Sequence, residues 1–140
     1  MYQREIQKDG TVKLYSAGCA FLYRRLRPGV LLVTITGDDR GELGMAPLHE
    51  LDAEIARGAP LSLFVDTRAA RGAATSVTED WTAWFAGNQK NLRGVSILAT
   101  SKFVQLIVSI AKHLSRTGEM IRIYTEEARF EEAIARETPT

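Results

Sequence analysis

The sequence predicts an α/β fold in which a mixed, mostly parallel sheet of four to five strands packs against four helices. Three observations carry this. From residue 30 onward, apolar β-branched runs alternate with helical stripes, the pattern of consecutive βαβ units. The runs at 30–36 (VLLVTIT), 61–65 (LSLFV) and 95–100 (VSILAT) are too apolar for strands that face water on one side, so both faces are expected to be buried. Gly or Pro marks nearly every connection. A chain of 140 residues, 45% apolar and 25% charged, can bury roughly 68 to 70% of its unfolded surface, which holds a core without a metal or disulfide staple. One domain over residues 1–140 is expected, with a core at 19–136 and residues 1–18 as an N-terminal extension or extra hairpin strand.

The first thirty residues read as extended pieces at 11–17 and 20–26, broken at Gly18 and at Arg27-Pro28-Gly29, where turn chemistry is favourable. These pieces form the antiparallel part. Residues 30–36 make the central strand, and after Gly37 a loop leads to Pro47 at a first helical position, with Leu48, Leu51 and Ile55 on one narrow stripe. Pro60 precedes the strand 61–65, which is expected to stop at Asp66. A second helix begins near Ser76, three residues ahead of Glu79 in a Ser-x-x-Glu capping box, with Val77, Trp81, Trp84, Phe85 and Leu92 on its inner side.

The strand at 95–100 runs straight into a helix capped by Ser101 that extends to about Thr117, with Gly118 as its stop. On that helix Lys102, Gln105, Ser109, Lys112, His113 and Arg116 occupy one arc. The apolar remainder spans about 200°, roughly twice what a surface helix needs. A last strand at 120–124, a cap at Thr125 and a short helix at 128–135 around Phe130, Ala133 and Ile134 close the chain.

With 18 Lys plus Arg against 17 Asp plus Glu, the net charge of +1 gives no reason to expect nucleic acid or an anionic membrane. The total hides a segregation. No acidic residue lies between Asp80 and Glu119, whereas Glu126, Glu127, Glu131, Glu132 and Glu137 crowd the end; two such surfaces can steer a charged partner or a second copy. Cys19 is alone, which excludes an internal disulfide and a cysteine cluster and suits a buried, inert thiol. The first ten residues are polar where a secretion signal is apolar, and no helical segment approaches a membrane span, so a cytoplasmic location is expected.

The order of elements resembles the STAS-like family, the anti-sigma-factor-antagonist domains. The likeness rests on VLLVTITG leading to a helix, LSLFVDTR with Asp66 at a strand end, GVSILATSKFVQLI as a strand entering an apolar helix, and IRIYTEEARFEEAI as the last strand and helix. It covers residues 19–136. The resemblance implies a non-enzymatic regulatory module that recognises a protein partner such as an anti-sigma factor or a kinase. Phosphorylated members open the helix after the central strand with an Asp-Ser-Ser-Gly-like step. The matching stretch here, Ala74-Thr75-Ser76-Val77, keeps the hydroxyls and lacks the Asp and the Gly, so Thr75 and Ser76 are the positions at which a Ser/Thr switch would fall.

Other candidates come from the residues themselves. Arg68, Arg71 and Gly72, read as a loop before a helix N-terminus, have the chemistry of an anion site: forked donors, close approach and free N–H groups. Trp81, Trp84 and Phe85 bring more aromatic bulk to one helix face than a Val/Ile/Leu sheet needs. With Phe103, Ile107 and Ile110 of the over-apolar helix they define a candidate apolar pocket for a small ligand or lipid, or a homodimer interface. Asp38, Asp39 and Asp66 resemble the acidic pocket of response-regulator receivers and give a third reading, a Mg²⁺-dependent enzyme. The spacing differs, because only one helix separates Asp39 from Asp66. His49 and His113 fall on polar helix arcs with no nucleophile or carboxylate at a recognisable spacing, and Gly37, Gly41 and Gly44 match no nucleotide loop. Neither a cofactor nor a metal is expected.

Overall fold

The computed structural model describes residues 2–116 and 118–137, and of Phe103 and Leu114 the backbone only. Among the described residues the strands β1 (Gln3–Ile6), β2 (Val12–Tyr15), β3 (Cys19–Arg27), β4 (Val30–Asp39), β5 (Leu61–Ala73), β6 (Leu92–Leu98) and β7 (Ile121–Tyr124) form one seven-stranded sheet. Their spatial order is their order in the chain. The helices are α1 (Ala46–Arg57), α2 (Thr75–Gly87), α3 (Lys102–Ser115) and α4 (Glu127–Arg136). None of the described helices is long and apolar enough to cross a membrane.

β1 to β4 are an antiparallel meander. Pro28 holds φ near −65° and Gly29 takes φ +78°, so the Pro-Gly pair turns the chain between the paired residues Arg27 and Val30. Gly37 is needed for a different reason: its φ is +83°, and a Cβ there would collide with the Gly18 carbonyl on β3's approach. The sheet thus extends past the four or five strands expected, because residues 3–15 add a hairpin to its edge.

β4 to β7 are parallel. Crossovers of a single hand in a sheet whose order never reverses all fall on one face. Accordingly α1, α2 and α3 share a face: Leu48, Leu51, Trp84 and Phe85 pack with Val33, Leu63, Val65 and Ile97. α4 takes the opposite face, where Phe130 and Ala133 meet Val30, Phe64 and Leu98. Leu63, Phe64 and Val65 are successive residues divided between the two cores, which is why the run reads as continuously apolar.

Several local expectations are corrected. β5 does not stop at Asp66 but continues to Ala73, with Thr36, Gly37, Asp38 and Asp39 of β4 pairing alongside its second half. Arg68, Arg71 and Gly72 therefore lie on a strand and not in a helix-capping loop. Ala74 is the residue before α2 and no side chain caps it, so Ser76 sits inside the first turn and makes no capping bond. Leu92 belongs to β6, and Glu126, not Thr125, precedes α4. Helix α3 ends at Ser115 with Arg116 in the left-handed conformation as its C-cap, close to the expected end at about Thr117, and Thr117 lies outside the described residues. The Ser101 cap stands, its hydroxyl oxygen accepting from the Val104 N–H at 3.3 Å.

A ligand crevice in open α/β sheets usually forms where strand order reverses. The unbroken order here provides no such place among the described residues. Room for a ligand must come from between the helical layer and the sheet.

Candidate functional site

Such room exists. A cavity of about 120 Å³ lies beneath α2 and α3, floored by the sheet through Phe21, Ile35, Val65 and Ile97 and walled by Trp81, Phe85, Ile107 and Val108. Its origin is a run of small residues. Where β5 extends past Thr67, Ala70, Gly72 and Ala73 face it, and Ala111 faces it from α3; large side chains at these positions would fill the space. The cavity resembles in size a dry 150 Å³ engineered one that takes up benzene.

Of the residues singled out from the sequence, Trp81, Phe85, Ile107 and Gly72 line this cavity. Trp81 stacks on Phe21 at 6.3 Å and meets Phe85 at 5.8 Å, so the aromatic cluster spans helix and sheet. Trp84 is buried beside it and points away: its indole N–H donates to Asp52 Oδ1 at 2.8 Å, tying α2 to α1. Ile110 is 45% exposed on the outer side of α3, next to Leu106 at 61%. The Phe103 side chain lies outside the described residues. Thr75 and Ser76 are exposed in the first turn of α2, next to Val77 and Thr78, which do line the cavity.

The anion site does not assemble. Arg68 is committed to carboxylates, donating to Asp66 at 2.6 Å and to Glu127 of α4 at 2.6 Å, which raises its already high pKa. Arg71 is exposed on the strand. The three carboxylates of the enzyme reading do not converge either: Asp66 faces α4 through Arg68 and pairs along the sheet with Thr34, whereas Asp38 and Asp39 pair with Gly72 and Ala73 at the far end of β4. His49 and His113 are exposed on α1 and α3.

Asp39 stands apart from Asp66 along the sheet. It is 5% exposed and lines the apolar cavity, and burial raises its pKa, with Glu42 and Asp38 adding to the rise and the Gly41 N–H opposing it. One carboxylate oxygen each of Asp39 and Glu42 and the Cys19 sulfur lie within 4.8 Å of one another. That trio is knit internally: the Cys19 thiol donates to Glu42 at 3.5 Å, and burial pushes its pKa up to about 12. A metal would need the thiolate. Asp39 and Thr67 escape the sequence analysis as pocket residues because their role depends on β5 running on past Asp66, and Lys112 because it falls on the polar arc of α3. The signal was the stretch Ala69 to Ala74, too poor in polar caps for a loop and too small for a packed strand.

The chain's fold is that of the STAS-like domains. It is similar to two solved structures. One is an uncharacterised protein of the DUF3478 family with a SpoIIAA-like fold from Shewanella loihica PV-4: 16% identical, TM-score 0.58, covering 84% of this chain and 94% of that one. The other is an anti-sigma factor antagonist from Mycobacterium paratuberculosis: 17% identical, TM-score 0.54, with the same coverages of 84% and 94%. No family model and no curated protein matches the sequence.

Proposed function

We propose that the protein is a non-enzymatic regulatory module of STAS-like fold that holds a small apolar ligand between its sheet and helices α2 and α3. The observation that carries the reading is the cavity at Trp81, floored by buried strands and bordered almost wholly by apolar side chains. A void of this kind in a core that could have been filled forfeits dispersion contacts along its walls. A ligand restores them.

The same helix supports the regulatory half of the reading. α3 presents Ile107 and Val108 to the cavity and Leu106 and Ile110 to the outside, so a ligand that shifts α3 alters the apolar surface offered to a protein partner. The similarity to an anti-sigma factor antagonist favours such a partner. Modification of Thr75 or Ser76 would act on the same helix layer, adding negative charge at the favourable N-terminal end of α2. Intact mass after incubation with a cognate kinase, with the phosphate mapped, tests that step.

The ligand reading is tested with ethylbenzene and the Ala111→Leu variant. Ligand at a hundred times its Kd is expected to stabilise the protein by about 2.7 kcal/mol, seen as a rise in melting temperature. Leu at position 111 fills the cavity and should abolish that rise while the variant stays folded. An equal rise in both proteins would place the ligand elsewhere.

A further inference from the structure

Four polar residues, Asp39, Thr67, Thr78 and Lys112, border a cavity whose lining is almost wholly apolar. The hydroxyls of Thr67 and Thr78 donate to the Leu98 and Ala74 carbonyls. Asp39 accepts from the Gly41 N–H at 2.9 Å. With these groups spent, a polar group carried into the cavity would lose its water and find no partner in exchange. A polar head on the ligand therefore belongs at the rim.

Lys112 supplies a charge there. α3 starts at the carboxyl end of the parallel strands, where Asp39 closes β4, and runs back. Lys112, in its last turn, thus borders the far end of the cavity, near Ile121, the first residue of β7. The residue is half-buried. Its methylene stem serves the apolar wall and leaves the ammonium to the water beyond it. Among the described residues no ion pair holds that ammonium. No acidic residue lies on α3, and His113 and Arg116 follow within a turn.

Resting on the ligand reading above, we propose that the ligand is a small carboxylic acid, its apolar body of about six to eight heavy atoms in the cavity against Trp81 and Phe85 and its carboxylate at the rim on the Lys112 ammonium. The body restores the dispersion contacts that the void forfeits. The head keeps part of its water and gains a charge-assisted bond, whereas a cationic head would meet Lys112 with like charge. Asp39, of the ligand's own sign and at the opposite end, orients the acid with its head towards Lys112.

The test uses three probes of one skeleton, propylbenzene, phenylpropionate and phenylpropylamine, titrated into the intact protein near neutral pH and followed by the Trp81 indole N–H resonance. Phenylpropionate is expected to bind more tightly than phenylpropylamine, and the preference should shrink in molar salt. Lys112→Met keeps the stem and removes the charge. In it the affinity for phenylpropionate should fall by about fivefold, the scale of a solvent-exposed ion pair, while that for propylbenzene stays within about twofold. Lys112→Arg, which keeps the charge, should retain the acid. An amine bound as tightly as the acid, or an acid indifferent to Lys112→Met, would overturn the carboxylate site and leave the apolar pocket standing. If none of the three moves the Trp81 resonance, the pocket reading falls with it. The wild-type preference and its salt dependence decide the matter even if a variant fails to fold.

Discussion

Asp39 shows how one residue can sit against the grain of its surroundings. Its pKa is raised chiefly by burial, with Glu42 and Asp38 pushing the same way against the Gly41 N–H and Arg40. An acid with a raised folded pKa binds its proton more tightly in the folded chain than in the unfolded one. Below the ordinary carboxylate range both states are protonated and the residue is neutral to stability; above the folded value the native state carries a buried charge that the unfolded state hydrates. Asp39→Asn keeps an oxygen for the Gly41 N–H and removes that charge. It is therefore expected to raise the melting temperature near neutral pH, with the gain shrinking as pH falls towards about 4. A gain independent of pH would show that the charge is not what costs stability. Residues that weaken the fold in this way tend to be kept for a function.

At the scale of elements, the starts of α2 and α3 look alike in sequence and differ in the fold. Ser76 and Glu79 have capping-box spacing, and Ser101 stands before an apolar helix. Only Ser101 caps: α2 is preceded by Ala74, whose N–H donates to the Asp39 carbonyl. Pairing with β4 draws β5 onward to Ala73 and leaves no room for a capping loop. Ser101→Ala is expected to cost about 1 kcal/mol in urea unfolding, and Ser76→Ala less than about 0.5 kcal/mol, as for an exposed side chain without a partner. Equal losses would restore the cap at Ser76. The same contrast marks what was legible. Strands 30–36 and 61–65, the Pro47 helix start and the over-apolar α3 carry their own periodicity, and the fold follows it. The extension of β5 to Ala73 is set by its pairing with β4, and the small residues 69–74 mark it only faintly; the pairing of β1 with β2 likewise goes beyond the extended piece at 11–17 that the pattern marks. For the candidate site, Trp81, Phe85 and Ile107 were legible as excess apolar bulk, while Asp39 needed the tertiary pairing of β4 with β5.

For the molecule as a whole, the sheet is a partition shared by two cores of unequal size. The larger holds α1, α2, α3 and the cavity; the smaller is organised by Phe130, which is 1% exposed and meets Phe64 and Tyr124 edge-on at 5.9 and 6.1 Å. The charge segregation runs along the chain and not between the two faces: α3 is basic through Lys102 and Lys112, but α1 and α2 on the same face carry Glu50, Asp52, Glu54, Glu79 and Asp80, and α4 across the sheet sets Glu127, Glu131 and Glu132 beside Arg129 and Arg136. Despite the partition the cores cannot come apart independently, because neighbouring residues of one strand serve both: Leu63 and Val65 the larger, Phe64 the smaller. Arg68 ties the layers further by joining Asp66 of β5 to Glu127 of α4. Phe130→Ala is expected to lower stability by about 3 to 5 kcal/mol. If the sheet couples the two faces, urea unfolding of the variant remains a single transition with the wild-type m value at a lower midpoint. A second transition, or a reduced m value from a native state that has already released α4, would mean that the larger core, cavity included, stands without the smaller one.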